Sequence, residues 1–190
     1  MQKVVLYASM SIDGYAAGVG DDMRVLHGWA FGDPRQAIDP VVSAEFFEAG
    51  AVIFGAGTLR AGDREWGEKD IFPMPVFVPM HKPRAPVHRN GSAFTFVGSV
   101  EEALARARAA AGDKDVYIMG SPNVAQQLLA AGQIDELELA LTEVILGDGI
   151  PLLDRSAVAP ARLERVRVVE SRGIMHLRYL VQRPLDSVEA

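Results

Sequence analysis

The residues best suited to holding an anion in this sequence are Gly120, Ser121, Pro122, Asn123 and Val124. They follow Val116-Tyr117-Ile118-Met119, a run with the length and β-branched content of a buried strand. Ser121 is a good N-cap, and Pro122 falls at the first helical position, where its missing N–H costs nothing. Gly120 lets the backbone come close to whatever sits over the turn. The free N–H groups and the positive end of the helix dipole then point at an anion such as a phosphate. An ordinary capped strand-to-helix connection would use the same residue types, so the stretch alone leaves both readings open.

A second turn of this kind is Gly55-Ala56-Gly57-Thr58-Leu59, after the compact strand Ala51-Val52-Ile53-Phe54. It is not the dinucleotide fingerprint GxGxxG, because position 60 is Arg60, and it is not a P-loop. A third strand, Pro75 to Pro79, ends in Met80-His81-Lys82-Pro83-Arg84, a cluster of cations or a plain solvated basic loop. With Ser9–Gly14 after the first strand, four strand ends carry glycines or basic residues. Ligands of open α/β sheets bind outside the carboxyl ends of strands, and two helix N-termini with nearby cations suit a ligand with several phosphates.

Other chemistries find less support. His27, His81, His88 and His176 show no HExxH and no ligand-like pairing. His176 alternates outward on a late strand and reads as solvated. GxSxG is absent, and Ser121 is more simply a cap than a nucleophile. The chain has no cysteine, which removes disulfides, thiolate nucleophiles and Cys-ligated zinc, and fits a cytoplasmic protein.

The elements that must position these residues read as one domain over residues 1–183 with a short tail, 184–190; at 190 residues the chain is long enough for one sizeable core. The first strand covers Val4 to Ala8. Beyond the Asp13-Gly14 turn comes a long Gly-rich and polar-aromatic loop with Gly18, Gly20, His27, Trp29 and Phe31. Asp39 and Pro40 open a helix with Val42, Phe46 and Phe47 on one apolar face, ended by Gly50. After a fourth strand, Ala93 to Val97, Ser99 and Glu102 form a capping box for a helix running to about Ala111 with Leu104 and Ala107 inward. The Pro122 helix ends at Gly132. Leu137, Leu139 and Leu141 then alternate with Glu136, Glu138 and Ala140 as in a half-buried strand. Two last strands, about Leu163–Glu170 and Ile174–Val181, flank Ser171-Arg172-Gly173 as an antiparallel hairpin. The sum is an α/β fold: a mostly parallel central sheet flanked by helices, with a C-terminal antiparallel hairpin. Composition is that of a soluble globular protein, 49% hydrophobic and 23% charged, and a net charge of −6 argues against a nucleic-acid or membrane surface. The apolar N-terminal run is too short for a signal peptide, and no stretch reaches the roughly 18 apolar residues of a membrane span.

Assembled in order, these pieces resemble the dihydrofolate reductase-like family, in the branch typified by the C-terminal reductase domain of riboflavin biosynthesis. Ser11-Ile12-Asp13-Gly14 is like its Ser-Leu-Asp-Gly, and Val52-Ile53-Phe54-Gly55 with Thr58 is like its Gly-Arg-x-Thr turn. Met119-Gly120-Ser121 leading to Leu128-Leu129 is like its Gly-Gly turn and helix. Gly132-Gln133-Ile134-Asp135-Glu136-Leu137 and Val144 to Leu153 are like its Gly-Leu-Val-Asp-Glu-Leu and Leu-Leu-Gly-x-Gly-x-Pro-Leu-Phe segments. The resemblance covers about residues 2–182 and implies an NADPH-dependent reductase, with hydride transfer to a C=N or C=O bond of a small heterocyclic or sugar-amine substrate. It puts Gly55, Gly57, Thr58 and Gly120, Ser121, Pro122, Asn123, Val124 at the phosphates, and His81 and Lys82 at the adenosine 2′-phosphate. Ala8 and Ser9 would border the nicotinamide, with the Ile12–Gly20 loop closing over it. Asp13 would orient or protonate the substrate, or only form the turn. Glu143 and Trp29 are substrate-side candidates; a solvated strand end and a core or interface residue are their plainer roles. A homodimer is expected, with the Leu163–Val181 hairpin as a contact.

The sequence departs from the family pattern at named places. The phosphate-binding Arg is missing at Ala56 and Gly57, and Arg60 replaces it only if the helix brings it round. Ser121 stands for the second glycine of the Gly-Gly turn, Pro79-Met80-His81-Lys82 stands where Ser or Thr and then Arg are usual, and Glu143 stands where many relatives have Pro. These departures keep a second reading in view, a non-catalytic nucleotide-binding or interaction protein on the same fold.

Overall fold

The computed structural model describes residues 1–20, 22, 24–31, 40–65, 72–89, 92–154, 160–171 and 173–182. β1 (Val4–Ser11) continues past the expected Ala8 into the Asp13–Gly14 turn, and β2 (Tyr15–Ala17) follows at once. The expected long loop gives way here to β2 and to α1 (Arg24–Phe31). Glycines at 18, 20 and 28 hid the α1 segment, whose burial is secured by Leu26 rather than by local propensity. α2 (Pro40–Phe47) starts on its proline as read; Asp39 lies outside the described residues. Phe46 is buried, whereas Phe47 is exposed, so the expected apolar face is narrower than drawn.

β3 (Ala51–Ile53), α3 (Ala56–Glu65) and β4 (Val76–Pro79) follow the reading of the sequence. β5 (Val87–Arg89) is an added antiparallel partner of β6 (Ser92–Val97), too short to show an alternation of its own. α4 (Val100–Ala111) buries Leu104 and Ala107 as expected. Its Ser99 hydroxyl accepts the Glu102 N–H at 3.1 Å, but the Glu102 carboxylate takes the Gly98 N–H at 3.0 Å, one residue before the expected partner. β7 (Val116–Met119) and α5 (Pro122–Ala130) come next, and Gly132 closes the helix at φ 62° with its N–H on Leu129. β8 (Glu136–Thr142), the short β9 (Ile150–Pro151), β10 (Arg162–Ser171) and β11 (Ile174–Gln182) complete the chain. Arg172 in the hairpin turn and the 184–190 tail lie outside the described residues.

The strands form one sheet in the order β10-β11-β8-β1-β7-β3-β4-β6-β5, with β2 and β9 as a separate pair. Its centre from β8 to β6 is parallel, and both edges are antiparallel. Alternation along β1 feeds two cores. Val4 and Leu6 meet Ile53, Ile118 and the inner faces of α4 and α5, while Val5 joins Phe46, Phe54, Phe72, Phe94 and Tyr117 on the other face. Each such buried side chain contributes roughly 1.5–3 kcal/mol by leaving water.

β8 is not half-buried. Glu136 and Glu138 are each 2% exposed, because β1 and β11 cover both its edges and arginines reach its polar face. Arg178 contacts Glu136 at 2.5 Å and also pairs with Glu45 of α2. Arg167 binds Glu45 at 2.6 Å and Glu138 at 3.0 Å, and Lys3 reaches Glu136 at 2.5 Å. His176, expected in solvent, is 1% exposed within the sheet, where it pairs in register with Ala140. Among the described residues no helix is long and apolar enough to cross a membrane.

Candidate functional site

The carboxyl ends of β1, β3, β4, β6 and β7 open on one cleft of about 580 Å³. Gly55, Gly57, Thr58, Gly120, Ser121, Pro122, Asn123 and Val124 line it, as do His81 and Ser9. Every one of these was singled out in the sequence. The two turns face each other because β3 and β7 are adjacent parallel strands, so the helices that follow them start side by side.

Ser121 joins the turns, and not as a cap. It sits at φ 57° and ψ 67°, in the left-handed region, and its side chain makes no capping bond to α5. Its hydroxyl instead donates to the Met119 carbonyl at 3.0 Å and accepts the Gly55 N–H at 2.7 Å. Thr58 Oγ1 lies 2.8 Å away. With the Ser121 proton on Met119, its remaining lone pair accepts from Thr58, so the threonine hydroxyl is the donor. The expected cap role is therefore replaced by a node between turns, made possible because left-handed backbone at Gly120 and Ser121 swings the hydroxyl away from the helix.

The node leaves a defined set of donors. The first intrahelical bonds are Leu59 N–H to Gly55 in α3 and Ala125 N–H to Ser121 in α5. Helix geometry thus leaves the N–H groups of Ala56, Gly57, Thr58, Asn123 and Val124 without intrahelical acceptors at the cleft wall. Pro122 has none to offer. Aligned dipoles of α3 and α5 add positive potential at the same place. Such a wall accepts the oxygens of a phosphate or diphosphate.

Around this wall stand Ala16 and Ala17 of β2, within the Ile12–Gly20 segment expected over the site, and Met80 of the stretch after the third strand, together with residues that the sequence did not single out as site residues: His27 of α1, Ala61 of α3, Gly98 to Glu101, Gln127 and Ile150. His27 and Ile150 were missed because α1 and β9 were not recognised as elements, whereas the others lie on or beside expected helices and were not distinguished from the rest of them. Arg60, weighed as a replacement cation, also lines the cleft. Glu101 lines it too, and its pKa is lowered by its own backbone N–H and the Ser99 hydroxyl, so it stays ionised at neutral pH.

Other expected site residues lie elsewhere. Ala8 is buried beneath the cleft in the core. Lys82 is exposed beside His81 and does not line the wall, and Glu143 is exposed after β8. Trp29 lies on α1, with its side chain outside the described residues. Asp13 does not line the cleft. Its carboxylate accepts the N–H groups of Gly147 at 2.7 Å and Leu146 at 3.1 Å. The Ser11 hydroxyl, then those amides, lower its pKa to about 2. An ionised carboxylate held by two amides is a poor proton donor, so the geometry favours the turn-forming role for Asp13. It ties the β1–β2 turn to the segment before β9, with Ile12 N–H on Val144 and Leu152 N–H on Gly14, each at 2.9 to 3.0 Å. Gly149 permits this closure: a Cβ there would lie 2.1 Å from the Ala17 carbonyl. The strap sets Ala16, Ala17 and Ile150 over one end of the cleft. Among the described residues no cluster of His, Asp or Glu could hold a metal ion.

The model of the RibD C-terminal domain family matches residues 2–175. No curated protein sequence matches the chain. Among solved structures, a riboflavin-biosynthesis candidate from Shewanella sp. PV-4 is similar at a TM-score of 0.78 and 20% identity, covering 96% of this chain and 100% of that one. A diaminohydroxyphosphoribosylaminopyrimidine deaminase/5-amino-6-(5-phosphoribosylamino)uracil reductase from Thermotoga maritima is similar at 0.64 and 16% identity, over 95% of this chain and 57% of that one. A pyrimidine reductase-like protein from Corynebacterium diphtheriae is similar at 0.63 and 17% identity, over 96% and 93%. At these identities the structures show a shared fold.

Proposed function

The chain belongs to the RibD C-terminal domain family, and on that premise we propose that it is an NADPH-dependent reductase acting on a C=N or C=O bond of a small substrate. The observation that supports this most is the Ser121 node, which makes two strand-end turns into one continuous wall of N–H donors. In this reading the diphosphate lies against Gly55–Thr58 and Gly120–Val124. The adenosine extends along Met80 and His81, and Lys82 reaches its 2′-phosphate from the neighbouring position. The nicotinamide sits toward Ser9, with Ala8 beneath the floor. NADPH supplies the hydride. The protein's part is to place the cofactor's C4 against an electrophilic carbon and to exclude water, a task suited to the strapped Ala16–Ala17 and Ile150 cover.

The substrate is a small heterocycle or sugar amine, with Glu143 and Trp29 on its side of the site. The uracil reductase description of the Thermotoga maritima relative supports an aminated pyrimidine. The enzyme is a cytoplasmic homodimer in this account, with the β10–β11 hairpin as a contact and no nucleic-acid or membrane partner. One observation favours the alternative of a non-catalytic nucleotide-binding protein: Ala56 and Gly57 place no charged side chain in the α3 turn.

Fluorescence titration with NADPH and NADH tests the reading. Lys82→Ala is expected to weaken NADPH by about tenfold and NADH by less than about twofold, as for loss of one cation from a phosphate. Equal losses would refute the 2′-phosphate role. No binding of either dinucleotide at millimolar concentration would remove the reductase reading altogether.

A further inference from the structure

We infer that Arg60 is the diphosphate-binding cation of this cleft, reaching back over the mouth of its own helix through the space that Gly57 leaves empty. Side chains on an α-helix lean toward its N-terminus and lie over the residues three and four positions earlier. For Arg60 those are Gly57 and Ala56, the first residues of α3, and both line the cleft with it. A Cβ added at Gly57 would lie 3.8 Å from Arg60 Nη2, so the guanidinium rests on the bare face of that glycine.

The rest of the wall makes this cation necessary. Thr58 and Gly55 have donated to Ser121, so neither the threonine hydroxyl proton nor the Gly55 N–H is available to a ligand. What remains is neutral N–H groups. The other charged or titratable side chains lining the cleft are His27, His81 and Glu101, and the chain as a whole carries −6. Arg84 is stacked 4.2 Å over Phe96, Arg106 binds Glu102, and Arg167 and Arg178 are held by the buried Glu138 and Glu136. Arg60, by contrast, makes no hydrogen bond or ion pair within the described residues. A planar guanidinium with free donors at a wall of N–H groups matches a diphosphate, whose oxygens it can take in pairs.

This inference rests on the dinucleotide reading, and its test separates the two. Arg60→Gln should weaken NADPH and NADH by the same factor, about 10- to 100-fold, the scale of a lost charge-assisted phosphate contact. Adenosine 2′-monophosphate, which lacks the diphosphate, should bind the variant and the parent alike. A loss confined to NADPH would place Arg60 at the 2′-phosphate and overturn the assignment, as would unchanged affinity for both dinucleotides. If the parent protein binds neither dinucleotide, the reductase reading falls as well; if the parent binds and Arg60→Gln is unaffected, only the Arg60 assignment falls. Should Arg60→Gln fold poorly, Arg60→Lys serves in its place. It keeps a charge without the fork, and an equal, smaller loss for both dinucleotides supports the assignment while no loss overturns it.

Discussion

A serine in the left-handed region costs roughly 1–2 kcal/mol, and the Ser121 hydroxyl offsets that cost with three hydrogen bonds, one donated and two accepted. Its position after a strand and before a proline was legible as a helix start. The bonds across to Gly55 and Thr58 were not, because they depend on the pairing of β3 with β7, which no local pattern encodes. Asp13 shows the same limit. Its turn was legible from Asp-Gly, yet the donors it accepts from are amide N–H groups more than 130 residues away. The two states of this carboxylate differ in a measurable way. Its pKa is lowered from 3.8 to about 2 in the fold. The strap's stabilisation is therefore present above the unfolded value and is lost as pH falls through the folded one. Amide chemical shifts of Leu146 and Gly147, followed from pH 6 downward, should titrate near pH 2. A midpoint at the unperturbed 3.8 would show that Asp13 does not hold the strap.

Strand β8 looks amphipathic in sequence and is buried on both faces in the fold, since Leu137, Leu139, Glu136 and Glu138 are all inside. Alternation was read correctly; the inference that glutamates mean solvent failed because Arg178 on β11, Arg167 on β10 and Glu45 on α2 assemble over them. Their placement depends on the order of strands rather than on neighbours in the chain. Removing Arg178 from this set leaves three carboxylates facing two cations, Lys3 and Arg167, with two of the carboxylates buried. Arg178→Met should destabilise the protein by about 3–5 kcal/mol in urea unfolding at neutral pH. Burial raises the Glu138 pKa, and loss of the Arg178 charge 3.6 Å away raises it further, so protonating Glu138 relieves the repulsion left among the three carboxylates and the penalty should shrink as pH is lowered. A cost under about 1 kcal/mol at neutral pH would mean that the cluster is a solvated surface pairing instead.

At the scale of the molecule, strands alternating with helices and then strands alone were enough to give the parallel centre and the C-terminal antiparallel edge. Glycines and cations at strand ends marked one side of the sheet, and that side is where the cleft lies. Short pieces escaped: β5, β9 and α1 are held by tertiary contacts and carry too few residues to show a period. If the proposed function holds, the two turns after β3 and β7 act together as one phosphate cradle. Amide chemical-shift mapping of the intact protein during an NADPH titration tests this most directly. Saturable shifts are expected at Ala56, Gly57 and Thr58 together with Asn123 and Val124, with the β10–β11 hairpin unmoved. Shifts confined to one turn, or none at millimolar NADPH, would contradict it.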